Sequence, residues 1–121
     1  MQYTDLDKYK GTLPYPVQPH RRVQDLINSV PDWLRNEEAV KVRVAEIQAQ
    51  WDRFEDDRRA YNAEKDALYA KFKEDALEDV GLKGHPKAVK ALAMAYDRGH
   101  SEGLWAVYLE LETLAELLLG A

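Results

Sequence analysis

Large side chains recur along the middle of the chain at a 4-3 spacing: Val40, Val44, Ile47, Trp51 and Phe54, continued by Arg58, Tyr61, Lys65, Leu68 and Phe72. That spacing belongs to a helical seam. Neither Gly nor Pro falls between Pro31 and Gly81, so the pattern predicts one helix over 31–80, about 75 Å long at 1.5 Å per residue. Trp33 extends the seam backward in phase, and Pro31 suits a first helical position. Asp32, Glu37 and Glu38 sit where the positive end of the helix dipole favours them. A helix this long cannot cover its own stripe, so another segment or another chain has to.

The flanking patterns differ. Residues 1–19 read as an extended arm, with Pro14, Pro16 and Pro19 favouring polyproline-like backbone. Pro16 and Pro19 form a PxxP, an adaptor-type ligand on a sharp reading; the preferred reading lays Tyr3, Tyr9 and Tyr15 over apolar grooves. His20 to about Asn28 is a short amphipathic helix with Val23, Leu26, Ile27 and Val30 on one face and Arg21-Arg22 in solvent. Gly81 is placed to end the long helix and Pro86 to begin another. That last helix is read over 86–119, with Val89, Ala93, Tyr96, His100, Leu104, Val107, Leu111, Leu114 and Leu118 on one face and a stutter near Gly99–Gly103. Ser101 has no Glu or Gln three residues on, so a restart lacks a capping box; one continuous helix, kinked or straight, is expected.

A short link between two long helices predicts an all-α, long antiparallel helical hairpin (31–80 and 86–119) in a single domain over residues 1–121, with residues 1–30 as arm and short helix. Reflection about the turn pairs small residues with small: Ala63 with Gly103, Ala67 with Gly99, Ala70 with Ala95 and Ala76 with Ala91. The expectation is close backbone packing there, which would offset the roughly 1 kcal/mol that each helical Gly costs relative to Ala. The second helix then reaches back to about residue 46. Trp33, Val40 and Val44 overhang it, and the large-residue seam lies beside the Ala stripe. Helix one thus has two apolar faces, and a homodimer or another protein partner is expected to fill the second.

Composition narrows the class. With 121 residues, 45% hydrophobic and 32% charged, the chain suits a modest helical core and not low-complexity disorder. The absence of cysteine excludes disulfides and thiolate chemistry. Met1–Asp5 shows neither the basic nor the apolar region of a secretory leader, and Leu117–Leu119 is too short to span a membrane. A soluble cytoplasmic protein is expected, with no membrane association. The net charge of −5 opposes duplex-DNA binding, which needs a basic face. Residues 37–80, with eight Lys/Arg against thirteen Asp/Glu, suit a basic partner instead.

Catalytic patterns are sparse. Asp97 and His100 form a D-x-x-H, an echo of the E-x-x-H of carboxylate-bridged metal bundles; those sites need two copies and further inward carboxylates, and one copy is present. His85 before Pro86 reads as a turn or capping residue. Arg58 and Lys65 on the seam read either as register devices or as long side chains carrying their charge out to water. Asp52/Asp56 and Asp75/Asp79 read as solvated faces. P-loop, dinucleotide, H-E-x-x-H and G-x-S-x-G signatures are missing from the sequence, so no cofactor, metal or small-molecule substrate is expected.

The stretch Gly84-His85-Pro86-Lys87-Ala88 through Asp97-Arg98-Gly99-His100-Ser101-Glu102-Gly103, followed by the Leu-rich end, resembles the C-terminal segment of small uncharacterised accessory proteins of actinobacterial phages. It covers about a third of the chain and carries no motif of known chemistry. The resemblance implies a phage-encoded protein in the host cytoplasm, acting on a host factor or assisting particle assembly. The sequence thus leads to a non-enzymatic interaction protein with Trp33, Val40, Val44, Ile47, Trp51 and Phe54 as apolar anchors and Arg58 setting register. The alternatives are a nucleic-acid factor using Arg21, Arg22, Arg35 and Arg43, and a helical-bundle metal enzyme using Asp97 and His100.

Overall fold

A computed structural model describes residues 1–120, and it is all-α. A 3₁₀ helix, Tyr3–Tyr9, precedes α1 (Val23–Ser29), α2 (Glu38–Asp79), α3 (Ala88–Gly99) and α4 (Leu104–Leu119), with a 3₁₀ turn, His100–Glu102, between the last two. Two compact units divide the chain: residues 1–11 with Lys65 onward, and residues 12–64. The sequence reading expects one domain; α2 supplies residues to both units.

The long helix starts at Glu38, seven residues later than Pro31. Residues 31–37 form successive tight turns instead, with the Leu34 amide donating to the Pro31 carbonyl at 2.9 Å and the Glu37 amide to Leu34 at 3.1 Å. Trp33 in this stretch is 78% exposed. Helical propagation there would gain little packing, and unsupported helix is marginal in water. The other end follows the sequence closely. Gly81, at φ +80°, follows Val80, and its amide donates to Glu78 while that of Leu82 donates to Leu77. These are the paired bonds of a Schellman stop. The Leu82 side chain is fully buried, which fixes the direction of the following link. His85 then accepts the Lys87 amide on Nδ1 at 3.0 Å, the capping role expected of it.

The largest departure is at residues 99–103. The predicted second helix of the hairpin is two helices that fold back on each other. Gly103 has φ +104°, ψ 178°, a region that only Gly occupies without strain, and the helix cannot pass through it. A Cβ at Gly99 would lie 2.7 Å from the Val107 amide nitrogen and 2.8 Å from the Ala106 carbonyl carbon, so the end of α3 touches the backbone of α4. Reflection about that contact sets Ala95 opposite Leu111 and Ala91 opposite Ala115, all four buried. The stripe Ala91, Ala95, Gly99 is therefore a close-packing surface, but its partner is α4 and not the alanines of α2. Ala63, Ala67 and Ala70 are exposed. Gly103 is not part of that packing: nothing lies within 4 Å of an added Cβ.

Phe72 and Ala76 of α2 join Leu82, the inner faces of α3 and α4, and Tyr9 in one core. The Tyr9 hydroxyl donates to Asp75 Oδ2 at 2.6 Å and that of Tyr108 to Asp79 Oδ2 at 2.5 Å, so both buried phenols are satisfied. Asp75 and Asp79 are thus fasteners of this core and not a purely solvated face. The apolar face predicted for α3 (Val89, Ala93, Tyr96 and His100) points to solvent: all four are exposed.

Candidate interaction site

The seam of α2 is real in phase, and in the 12–64 unit the chain's own arm occupies part of it. Ile47 is fully buried, and Val40, Val44, Trp51, Phe54 and Tyr61 are half-buried. The arm runs antiparallel to the helix. Its start is held by Glu64, whose Oε1 accepts the Thr12 amide at 2.7 Å and the Leu13 amide at 3.2 Å, while Oε2 accepts the Thr12 hydroxyl at 2.8 Å. The Thr12 hydroxyl first, then the Leu13 and Thr12 amides, hold this carboxyl below the usual glutamate range. One turn earlier on α2, Tyr15 meets Tyr61 edge-on at 5.2 Å. Farther along, Trp51 Nε1 donates to the Arg21 carbonyl at 2.8 Å, and the Arg22 guanidinium stands 5.1 Å from the Trp51 ring. From there α1 begins, with Val23, Leu26 and Ile27 half-buried and Val30 buried.

This geometry changes several sequence expectations. Arg21 and Arg22 are not simply solvated: one anchors Trp51 through its backbone and the other through its cation. Ile47, Trp51 and Phe54 are not an open anchor row, because residues of the same unit lie on them. Pro16 is buried, which places the PxxP along the helix. Arg58 is exposed, and its Nη2 is 2.6 Å from Glu55 Oε2, three residues back. Lys65 is exposed. The Glu64 clamp had no signal in the sequence, since its partners are mostly backbone amides 51 and 52 residues away.

What stays open in this unit is specific. Trp33 is 78% exposed, Val17 86% and Tyr15 71%. A groove of about 270 Å³ between arm and helix is lined by Val17, Gln18, Pro19, His20, Gln50, Arg53, Phe54 and Asp57. Apart from Pro16, Val30 and Ile47, every residue of the unit keeps some solvent contact.

A family model matches residues 16–119. The chain belongs to a family of unknown function, DUF8546. The Thr12, Leu13 and Tyr15 fasteners of this DUF8546 chain precede the matched region, while their partners Glu64 and Tyr61 lie within it. No curated protein and no solved structure gives a significant match.

The residues of the other two readings are placed as follows. Arg22 is engaged with Trp51, Arg35 pairs with Asp32 at 3.3 Å and Arg43 with Glu46 at 3.0 Å. Three of the four arginines named for phosphate contact thus have local partners. His100 Nδ1 lies 2.9 Å from the Tyr96 carbonyl, and its ring stacks on Tyr96 at 5.0 Å; Asp97 is exposed. Among the described residues no group of three or more His, Asp or Glu is placed to hold a metal ion. No helix among them is long and apolar enough to cross a membrane.

Proposed function

We propose that the protein is a non-enzymatic protein-interaction factor whose residues 12–64 form the partner-binding module. One observation carries this reading. The unit buries Pro16, Val30 and Ile47 and displays Val17, Trp33 and Tyr15, each more than two-thirds exposed. A unit with so thin a core gains most by having displayed apolar area covered, so a partner that buries one of these side chains would stabilise it. Trp is also the residue most enriched among interface hot spots. Within the module ten Asp/Glu stand against eight Lys/Arg, a slight acidic bias that favours a partner with a basic rim; the phage resemblance would make that partner a host or virion protein.

The test is affinity capture from lysate by the wild-type chain and by Trp33→Ala, followed by titration of any captured protein in purified form. Trp33 lies in a turn and is 78% exposed, so the variant keeps its helix content by circular dichroism. The expected result is a saturable partner whose affinity falls roughly tenfold or more in the variant, the range of a hot-spot truncation. Equal binding by both chains would overturn the assignment.

A further inference from the structure

The outward face of α3 has the layout of a seam that its own chain touches at Tyr96, through Tyr69 of α2, and otherwise leaves exposed. Val89, Ala93 and Tyr96 on the 12-residue α3, with His100 at the start of the 3₁₀ turn that follows, keep a 4-3-4 spacing along one side. Val89 is 80% exposed and Tyr96 41%, while the opposite side of α3 (Ala88, Ala91, Ala95, Gly99) is buried. The exposed side is also pre-ordered. The Tyr96 ring is stacked on His100 at 5.0 Å and tilted against Tyr69 of α2 at 5.4 Å, and Lys73 Nζ stands 4.9 Å over Tyr69. Burying these rings therefore costs little side-chain entropy.

From this face we infer that a second copy of the chain docks here, α3 against α3, antiparallel about a two-fold axis between Ala93 and Tyr96. Three features of the sequence on this helix fit that arrangement. The spacing is palindromic, so reflection puts Ala93 of one copy opposite Tyr96 of the other and Val89 opposite His100. Small then meets large at the centre, which lets the helices approach. The residue following Val89 is Lys90 and the residue following Tyr96 is Asp97. In an antiparallel pair these flanking positions face each other, giving a Lys90–Asp97 ion pair on each side of the axis. Both residues are exposed, and neither takes part in an ion pair within the chain among the described residues. A parallel pair would lack this match. An isologous contact requires such self-complementarity, and few helix faces have it.

This surface lies in the unit formed by residues 1–11 and 65 onward, so it is separate from the partner-binding module proposed above. The contact spans one three-turn helix and falls at the small end of specific interfaces. A weak, concentration-dependent dimer is expected.

The test is sedimentation velocity on the full chain over a concentration series. The wild-type chain shifts from monomer toward dimer as concentration rises. Val89→Asp removes the shift, with unchanged circular dichroism because the Val89 side chain stands in solvent. Lys90→Asp and Asp97→Lys each replace attraction by repulsion at both flanks and weaken the dimer about tenfold. An equimolar mixture of these two single variants forms a heterodimer at near wild-type affinity, because at both flanks a carboxylate of one copy then faces an ammonium of the other. That rescue is specific to the antiparallel register. A chain that stays monomeric throughout, a dimer indifferent to Val89→Asp, or charge variants with no mutual rescue would overturn the inference. A dimer lost on Trp33→Ala but kept in Val89→Asp would also overturn it and move self-association to the other unit. Loss of Trp33-dependent partner capture would leave this result untouched.

Discussion

The two glycines near the α3–α4 reversal show how one residue type serves two physical needs. Gly99 adopts an ordinary backbone conformation, so Ala there would raise helix propensity by about 1 kcal/mol if nothing else intervened. Its absent Cβ, however, would sit under 3 Å from two backbone atoms of α4, and backbone cannot turn aside as a flexible side chain does. Gly99→Ala is therefore expected to destabilise by about 1–3 kcal/mol through overpacking, seen as a lower denaturation midpoint at unchanged slope. A stabilised variant would show that the close approach is not there. Gly103→Ala is expected to cost a similar 1–3 kcal/mol by another route, since space is open around it and the penalty is the φ +104° backbone. Replacing Tyr9 by Phe tests a third kind of contact. Its hydroxyl holds Asp75 at 2.6 Å, and its loss is expected to cost about 1–2 kcal/mol, measurable by urea denaturation.

At the scale of elements, the arm's docking on α2 depends on one carboxylate. Glu64 has its pKa lowered by the Thr12 hydroxyl and the two amides it accepts, so its contribution to holding the arm is fully present above the ordinary glutamate value. It is lost as pH falls through the lower, folded value. Thr12 and Leu13 amide resonances should titrate together with a midpoint below 4.5, and Glu64→Gln should abolish that titration; a midpoint at or above 4.5 would show that the clamp does not form. The same elements show what periodicity can and cannot reveal. The phase of α2 was legible because Ile47, Trp51, Phe54, Tyr61, Leu68 and Phe72 share one face, and its end was legible because Gly81 fits a Schellman stop. The reversal at 99–103 was not, because helical phase is nearly preserved across it: Val107, Leu111, Leu114 and Leu118 keep the spacing set by Val89 to His100. A seam shared by two helices reads as one helix with a stutter, and only the positive φ of Gly103 separates the cases. Which side of α3 is buried was hidden for a related reason. Its inner face is Ala and Gly, chosen for closeness to α4, and its outer face carries the larger apolar groups.

Across the whole chain, the two units differ in how they are held. The unit containing α3 and α4 encloses Phe72, Leu82, Val107 and Leu111 fully, while the 12–64 unit has Ile47 as its one fully enclosed large side chain. Burial of that kind dominates stability at roughly 25 cal/mol per Å² of apolar surface, so native-state hydrogen exchange should be slowest in α3, α4 and the last three turns of α2. Amides of Glu38 to Glu64 should exchange faster although they belong to the same unbroken helix; uniform protection along α2 would contradict this division. Alkali should then act selectively. Burial first, and then the hydrogen bonds to Asp75 and Asp79, raise the pKa of Tyr9 and Tyr108 well above the ordinary 10.0. In the unfolded chain both phenols ionise near pH 10, whereas the folded unit keeps them protonated. Their stabilising contribution is therefore fully present below about pH 10 and falls away as pH rises from there toward the folded values. The slowest-exchanging set of amides should lose protection over that interval, and Tyr9→Phe with Tyr108→Phe should flatten the loss. If the double variant kept the wild-type alkaline slope, the ionisation responsible would lie elsewhere, as at Tyr69, whose pKa burial also raises.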